Sequence, residues 1–295
     1  MAKQSYGKIN LRHATKVLIA NINKIINRYV AQGYTLSVRQ VYYQLVAADM
    51  IKNNLNSYQK VAQAINDGRM SGLIDWDAIE DRNRNIATRS HWNDGRSILQ
   101  DASRWFHMDM WETQQERVIV IVEKAALEGI LGAVCSRFDV PILAARGYPS
   151  VSILREMALE HMHRNEHQAY TILHFGDHDP SGIDMTRDLE ERLQLFCHDS
   201  DVELTVKRCA LNMDQIEELK PPPNFAKTTD ARFKGYQRLY GDDSWELDAI
   251  EPAALDKLVT GEIESRIESD AWEARKAEIE AIREKLVKTA RNFKE

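Results

Sequence analysis

Three acidic side chains stand where apolar runs give way to turns. Glu123 directly follows Val118-Ile119-Val120-Ile121-Val122, and Asp177 and Asp179 follow Thr171-Ile172-Leu173-His174-Phe175-Gly176. In an extended segment positions i and i+2 point to the same side, so Asp177 and Asp179 face together while His178 faces away. Carboxylates gathered at neighbouring strand ends repel one another, and a divalent cation relieves that repulsion. All-oxygen donors favour Mg2+ over zinc, with Mn2+ able to substitute, and such a site suits chemistry at a phosphodiester. Two plainer readings stand beside this one. Asp179 could cap a helix starting near Ser181, and Lys124, next to Glu123, could touch a phosphate or simply pair with a carboxylate.

The elements that must position these acids follow from the pattern of apolar residues. Val118–Val122, Val140–Ala144, Tyr170–Phe175 and Val202–Cys209 read as strands, with helices between them. Strand, helix, strand in succession predicts right-handed crossovers and a parallel sheet about four strands wide, covered on both faces. Ligands of open parallel sheets sit at the carboxyl ends of the strands, where the acids fall.

Upstream, residues 11–31 carry Leu18, Ile22, Ile25, Ile26 and Tyr29 on one helical stripe. Ser37 caps a second helix over 38–48, and a third over 57–66 is expected to end at Asp67-Gly68. Three short helices suit a winged helix. In that reading Tyr58, Lys60 and Gln63 on the third helix, with Arg69 just beyond, face a DNA groove, and Arg82, Arg84 and Arg89 follow the backbone; the alternative is three-helix packing with a solvated polar face. Downstream, Pro221-Pro222-Pro223 stops the chain, residues 224–245 read as a long loop, and residues 252–293 as a helical extension broken near Gly261, either capping the α/β unit or forming a dimer contact. The expected division is 1–110, 111–220 and 221–295.

Charge separates these parts. The formal net charge is −6, yet residues 1–110 hold 15 Lys and Arg against 9 Asp and Glu, and the remainder 24 against 36. A phosphate-binding surface therefore belongs to the first third and a cation to the acidic rest. The longest aliphatic run, Val118–Val122, is too short to cross a bilayer, the N-terminus lacks the apolar core of a signal peptide, and three cysteines without Cys-x-x-Cys spacing fit a reducing cytoplasm.

Glu123 after the first strand and Asp177-His178-Asp179-Pro180-Ser181-Gly182 after the third resemble the Toprim domain of topoisomerases, primases and related nucleases. Gly147-Tyr148-Pro149-Ser150, opening a helix after the second strand, is similar to the A subunit of topoisomerase VI and its meiotic double-strand-break relatives. Arg39-Gln40-Val41-Tyr42-Tyr43 fits the tyrosine pattern of that family's winged-helix domain. The resemblance spans residues of about 10 to 260. It implies Tyr43 as nucleophile and Glu123, Asp177 and Asp179 as Mg2+ ligands. It also implies double-stranded DNA as substrate, a 5′-phosphotyrosyl intermediate, and a homodimer in which the tyrosine of one protomer meets the metal site of the other. Arg39 lies one helical turn before Tyr43, where its guanidinium can stabilise a phenolate or clamp a phosphate. The chain departs from topoisomerase VI in its compactness, which is that of stand-alone mini-A proteins. It has no phosphate-cradling glycine run, so strand passage would need a separate ATPase subunit. Two other functions remain compatible with the same residues: a Toprim nuclease that hydrolyses DNA or RNA with metal-activated water, and a non-catalytic DNA-binding module.

Overall fold

The structure, a computed structural model, describes residues 3–80, 89–165, 167–198 and 200–293. Its centre is a four-stranded, fully parallel sheet in the order β4-β3-β5-β6, formed by β3 (Glu116–Val122), β4 (Ile142–Ala144), β5 (Ala169–Phe175) and β6 (Leu204–Ala210). The α/β class and the four strands are those the apolar runs predict. Burial of both faces explains why β3 is apolar from Val118 to Val122. Val118, Val120 and Val122 join one core with α5 (Glu128–Arg137), α10 (Pro252–Glu264) and α11 (Ser269–Asn292), whereas Ile119 and Ile121 join another with α6 (Val151–Met157) and α7 (Pro180–Phe196). Register then levels the strand ends: Val122 pairs with Phe175, so Glu123 and Gly176 emerge side by side.

A third core gathers the N-terminal helices α1 (His13–Val30), α2 (Val38–Ala47) and α3 (Leu55–Met70) around Ile22, Tyr29, Val41 and Ile65. Ser37 and Gln40 form a reciprocal capping box at the start of α2, which fixes where Arg39 and Tyr43 begin. The short β1 (Leu36–Ser37) pairs in parallel with β2 (Ile79–Glu80).

Three expectations need correction. The Asp67-Gly68 turn signal does not end α3, which runs on to Met70; a Cβ on Gly68 would stand 2.7 Å from the Ile74 side chain, so that glycine serves packing rather than a turn. Residues 224–245 are not a structureless loop. They hold β7 (Asn224–Phe225), α9 (Phe233–Tyr240) and β8 (Asp243–Ser244), with β7 and β8 antiparallel and Tyr236 buried, although Phe225 is exposed. The C-terminal helices part at residues 265–268 rather than at Gly261, which sits inside α10 with open space around it. Two further helices complete the described chain: α4 (Gly95–Trp105), unforeseen in the sequence, packs along α11, and α8 (Met213–Leu219) follows β6. Among the described residues no helix is long and apolar enough to cross a membrane.

Candidate active site at the carboxyl ends of the parallel strands

Glu123 leaves β3 beside the turn after β5, and its Oε2 accepts from the Asp177 backbone N–H at 2.9 Å. This closeness leaves no room for a side chain at Gly182 and little at Gly176. A Cβ on Gly176 would lie 3.1 Å from Glu123 Oε2, and one on Gly182 would lie 2.2 Å from the Asp177 carbonyl oxygen. Below the turn, the buried Arg208 guanidinium donates to the carbonyls of Asp177 at 2.6 Å, Gly182 at 2.8 Å and Leu211 at 3.1 Å. A basic residue near the carboxyl end of an edge strand was the available sign of Arg208. Its neighbour Lys207 points outward to Glu262 at 2.7 Å, so type alone does not separate the two.

Asp179 does cap a helix: its Oδ1 accepts from Gly182 N–H at 2.6 Å and Ser181 Oγ at 2.9 Å, at the start of α7. Gly147, at φ +98°, folds the turn after β4 back so that its N–H meets the Glu123 carbonyl at 3.2 Å, and Ser150 caps α6. Asp177 is buried with both oxygens engaged, Oδ1 by Leu247 N–H and Oδ2 by Lys124 Nζ, each at 2.8 Å.

In this arrangement Lys124 pairs with carboxylates. Besides Asp177 it binds Glu246 at 2.7 Å and Asp248 at 2.9 Å. Arg39 reaches the same two acids from α2, with Nε 2.8 Å from Asp248 and a further ion pair to Glu246. Its guanidinium lies 5.8 Å from the centre of the Tyr43 ring, and Arg39, Tyr43 and Glu246 line one cavity. Arg39, Tyr43, Lys124 and Asp177 therefore meet within one chain, joined by residues 246–248. Glu246 and Asp248 were missed in the sequence because they sit in an irregular stretch with neither periodicity nor a motif around them.

Burial dominates the electrostatics. It pushes Asp177 up to about 7 against the pull of Lys124, and raises Glu123, with Asp179 adding to that shift. Burial, then Asp248 and Glu246, push the Tyr43 phenol well above its usual value. Glu246 goes the other way: burial opposes ionisation, but the Lys124 ammonium and then Arg39 outweigh it and hold the carboxyl down to about 2. Beneath the cluster, burial and then Arg208 lower His174 to about 3, so it is neutral, with Nδ1 2.8 Å from Thr186 Oγ1.

The donor set fits a hard divalent cation in chemistry: Glu123, Asp177 and Asp179 are oxygen donors crowded where burial leaves their charge poorly solvated. Among the described residues, however, no three ligating side chains stand together as a ready metal cage, and Asp177 is occupied by Lys124. Glu123 and Asp179, which form no ion pair among the described residues, are the carboxylates left to hold Mg2+, with Asp177 joining on release of Lys124.

The residues proposed to touch nucleic acid are dispersed. Lys60 and Gln63 lie on the exposed face of α3, Gln63 donating to Asp67 at 2.8 Å. Arg69 turns back onto the carbonyls of Trp76 and Ile79. Arg82 and Arg84 lie outside the described residues. In comparisons with known proteins, no family model and no curated protein matches the chain.

Proposed function

We propose that this chain is a Mg2+-dependent DNA strand-cleaving transesterase of the type its sequence resembles. In this reading residues 1–110 form a winged-helix tyrosine domain, residues 111–220 a Toprim domain, and the protein acts as a homodimer on duplex DNA, with any ATPase on a separate subunit. The supporting observation is the convergence of Arg39 and Tyr43, from the first helices, with Lys124 and Asp177, from the parallel sheet, through a shared pair of carboxylates.

A phosphodiester entering the site displaces Glu246 and Asp248 from Arg39 and Lys124, since all three anions compete for the same two cations. Arg39 then orients the phosphate against the Tyr43 hydroxyl one helical turn away. The Tyr43 oxygen bonds to phosphorus and the bond from phosphorus to O3′ breaks. The phenolic proton ends on the leaving 3′ oxygen, and the 5′ phosphate remains on the protein. Glu123 and Asp179 would hold Mg2+, which would supply neutralisation of the phosphate charge.

The test is a denaturing assay after incubation with end-labelled duplex and Mg2+ or Mn2+. A covalent protein–DNA adduct is expected, absent in Tyr43→Phe and in Asp177→Ala. An adduct that survives Tyr43→Phe removes Tyr43 from the mechanism. One feature favours a second reading: burial, and then the acids around it, raise the pKa of Tyr43, the opposite of what an activated nucleophile needs. Metal-dependent cleavage without any adduct identifies a Toprim nuclease acting through water, with Tyr43 structural.

A further inference from the structure

Beside Tyr43 lies a cavity of about 370 Å3, bounded at one end by Arg39, Tyr43 and Glu246 and extending beyond the residues that the proposed cleavage chemistry uses. It opens between α2, the first turn of α3 and β7, and its walls include Tyr42, Tyr58, Asn53, Leu55 and Asn224, with Tyr43 at one side. Its size is near the lower end of the roughly 300–1,000 Å3 typical of small-ligand pockets.

The lining is specific in character. Tyr42 and Tyr58 meet edge to face with ring centres 5.5 Å apart. The Tyr42 hydroxyl donates to Asn53 Oδ1 at 2.8 Å, and Asn53 Nδ2 donates to Asn224 Oδ1 at 2.5 Å. This chain of contacts holds both amides in one orientation. Leu55, 71% exposed, stands at the lip. Arg39 is the cation of the lining, and its guanidinium is committed to Glu246 and Asp248. A pocket interior of phenol rings, amides and one aliphatic lip, whose one cation sits at the Tyr43 end paired with the Glu246 carboxylate that also lines it, offers nothing to a second phosphate away from that end. It suits a flat, neutral heterocycle that stacks on an aromatic ring and offers donors and acceptors along its edge. Asparagine pairs with such edges, and stacking of a base on an aromatic side chain contributes substantially to single-strand binding.

We infer that this cavity is a nucleobase subsite, which receives one unstacked base of the nucleotide adjacent to the phosphodiester held at Tyr43. Its placement beside a scissile bond rests on the cleavage reading above. A base enclosed by protein is withdrawn from its helix, so the preferred substrate carries an unpaired or easily extruded nucleotide at that position, such as a mismatch, a gap or a single-stranded stretch. Tyr58 and Asn224 act here as specificity residues.

The experiment uses short single-stranded DNA with one 2-aminopurine at successive positions, bound to the intact protein in EDTA so that no strand is cut. Quenching of the probe is expected at one position. It should be much weaker when the same probe is fully paired in a duplex, and affinity should fall roughly tenfold in Tyr58→Ala and in Asn224→Ala. Tyr58→Phe keeps the ring and is expected to keep the quenching, which separates loss of stacking from loss of fold. Quenching at every position alike, at none, or undiminished in both alanine variants overturns the subsite. Because no cleavage is read, these outcomes are independent of the adduct assay: a protein that forms no adduct but quenches at one position loses the transesterase reading and keeps the base site.

Discussion

Gly182 has no room for a methyl group. A helical glycine replaced by alanine ordinarily gains up to about 1 kcal/mol, and Gly132, inside α5 with nothing within 4 Å of a new Cβ, is expected to show that gain. Gly182→Ala places the methyl group 2.2 Å from the Asp177 carbonyl oxygen, which cannot swing away as a side-chain tip would. A loss of about 1–3 kcal/mol is expected instead, read as a lower denaturant midpoint with unchanged slope. Glu246 permits a pH test of the ionic cluster. Its folded pKa of about 2 lies below its ordinary 4.5, so its contribution is present above pH 4.5 and is lost as pH falls towards 2. Glu246→Gln should therefore be less stable than the parent at pH 7, on the order of 1–3 kcal/mol, and the gap should narrow in denaturant titrations taken down to pH 3. A gap that stays constant with pH would show that the loss comes from packing.

At the scale of elements, legibility followed periodicity. The strands and the first two helices were readable because burial on one stripe or on both sheet faces writes itself as spacing 3.6 or as an unbroken apolar run, and Ser37 announces α2. The carboxyl ends of β3 and β5 were readable as a place for acids for the same reason. The stretch from β8 to α10 was not. Its residues go singly to different destinations: Trp245 bridges to His178, Leu247 enters the sheet core, Ala249 joins the N-terminal core, and the two acids take Lys124 and Arg39. No repeat period can express contacts that change partner at every residue. This segment also masks charge. Neutralising it in Glu246→Gln frees Arg39 and Lys124 in part, so DNA binding should tighten, and the slope of log affinity against log salt should steepen by about 1 for each phosphate gained. An unchanged slope would mean that neither cation reaches a phosphate.

For the molecule as a whole, the meeting of Arg39 and Tyr43 with the acid cluster within one chain bears on how a homodimer would work. The family resemblance implies a tyrosine working against its partner's metal site, whereas here Arg39 of the tyrosine helix already shares Glu246 and Asp248 with Lys124 of the same chain. Mixing Tyr43→Phe with Asp177→Ala is therefore expected to give no adduct. Recovery of adduct to roughly a quarter or half of the wild-type level would show that the tyrosine and the acids act from different chains. The three cysteines are buried in the cores that flank the sheet, and burial raises the thiols of Cys135 and Cys209 to about 12. All three should resist a thiol reagent at neutral pH until the fold is opened by denaturant.

The buried hydrogen bond from Leu247 N–H to the Asp177 carboxylate offers a consequence of another kind. That amide proton is shielded from water for as long as the segment stays seated between the helical and the sheet halves, so its exchange with deuterium is a local clock for their separation. A nucleic acid that draws Lys124 and Arg39 away from the acids loosens the seat and speeds that clock at one backbone position, whether or not any bond is cut.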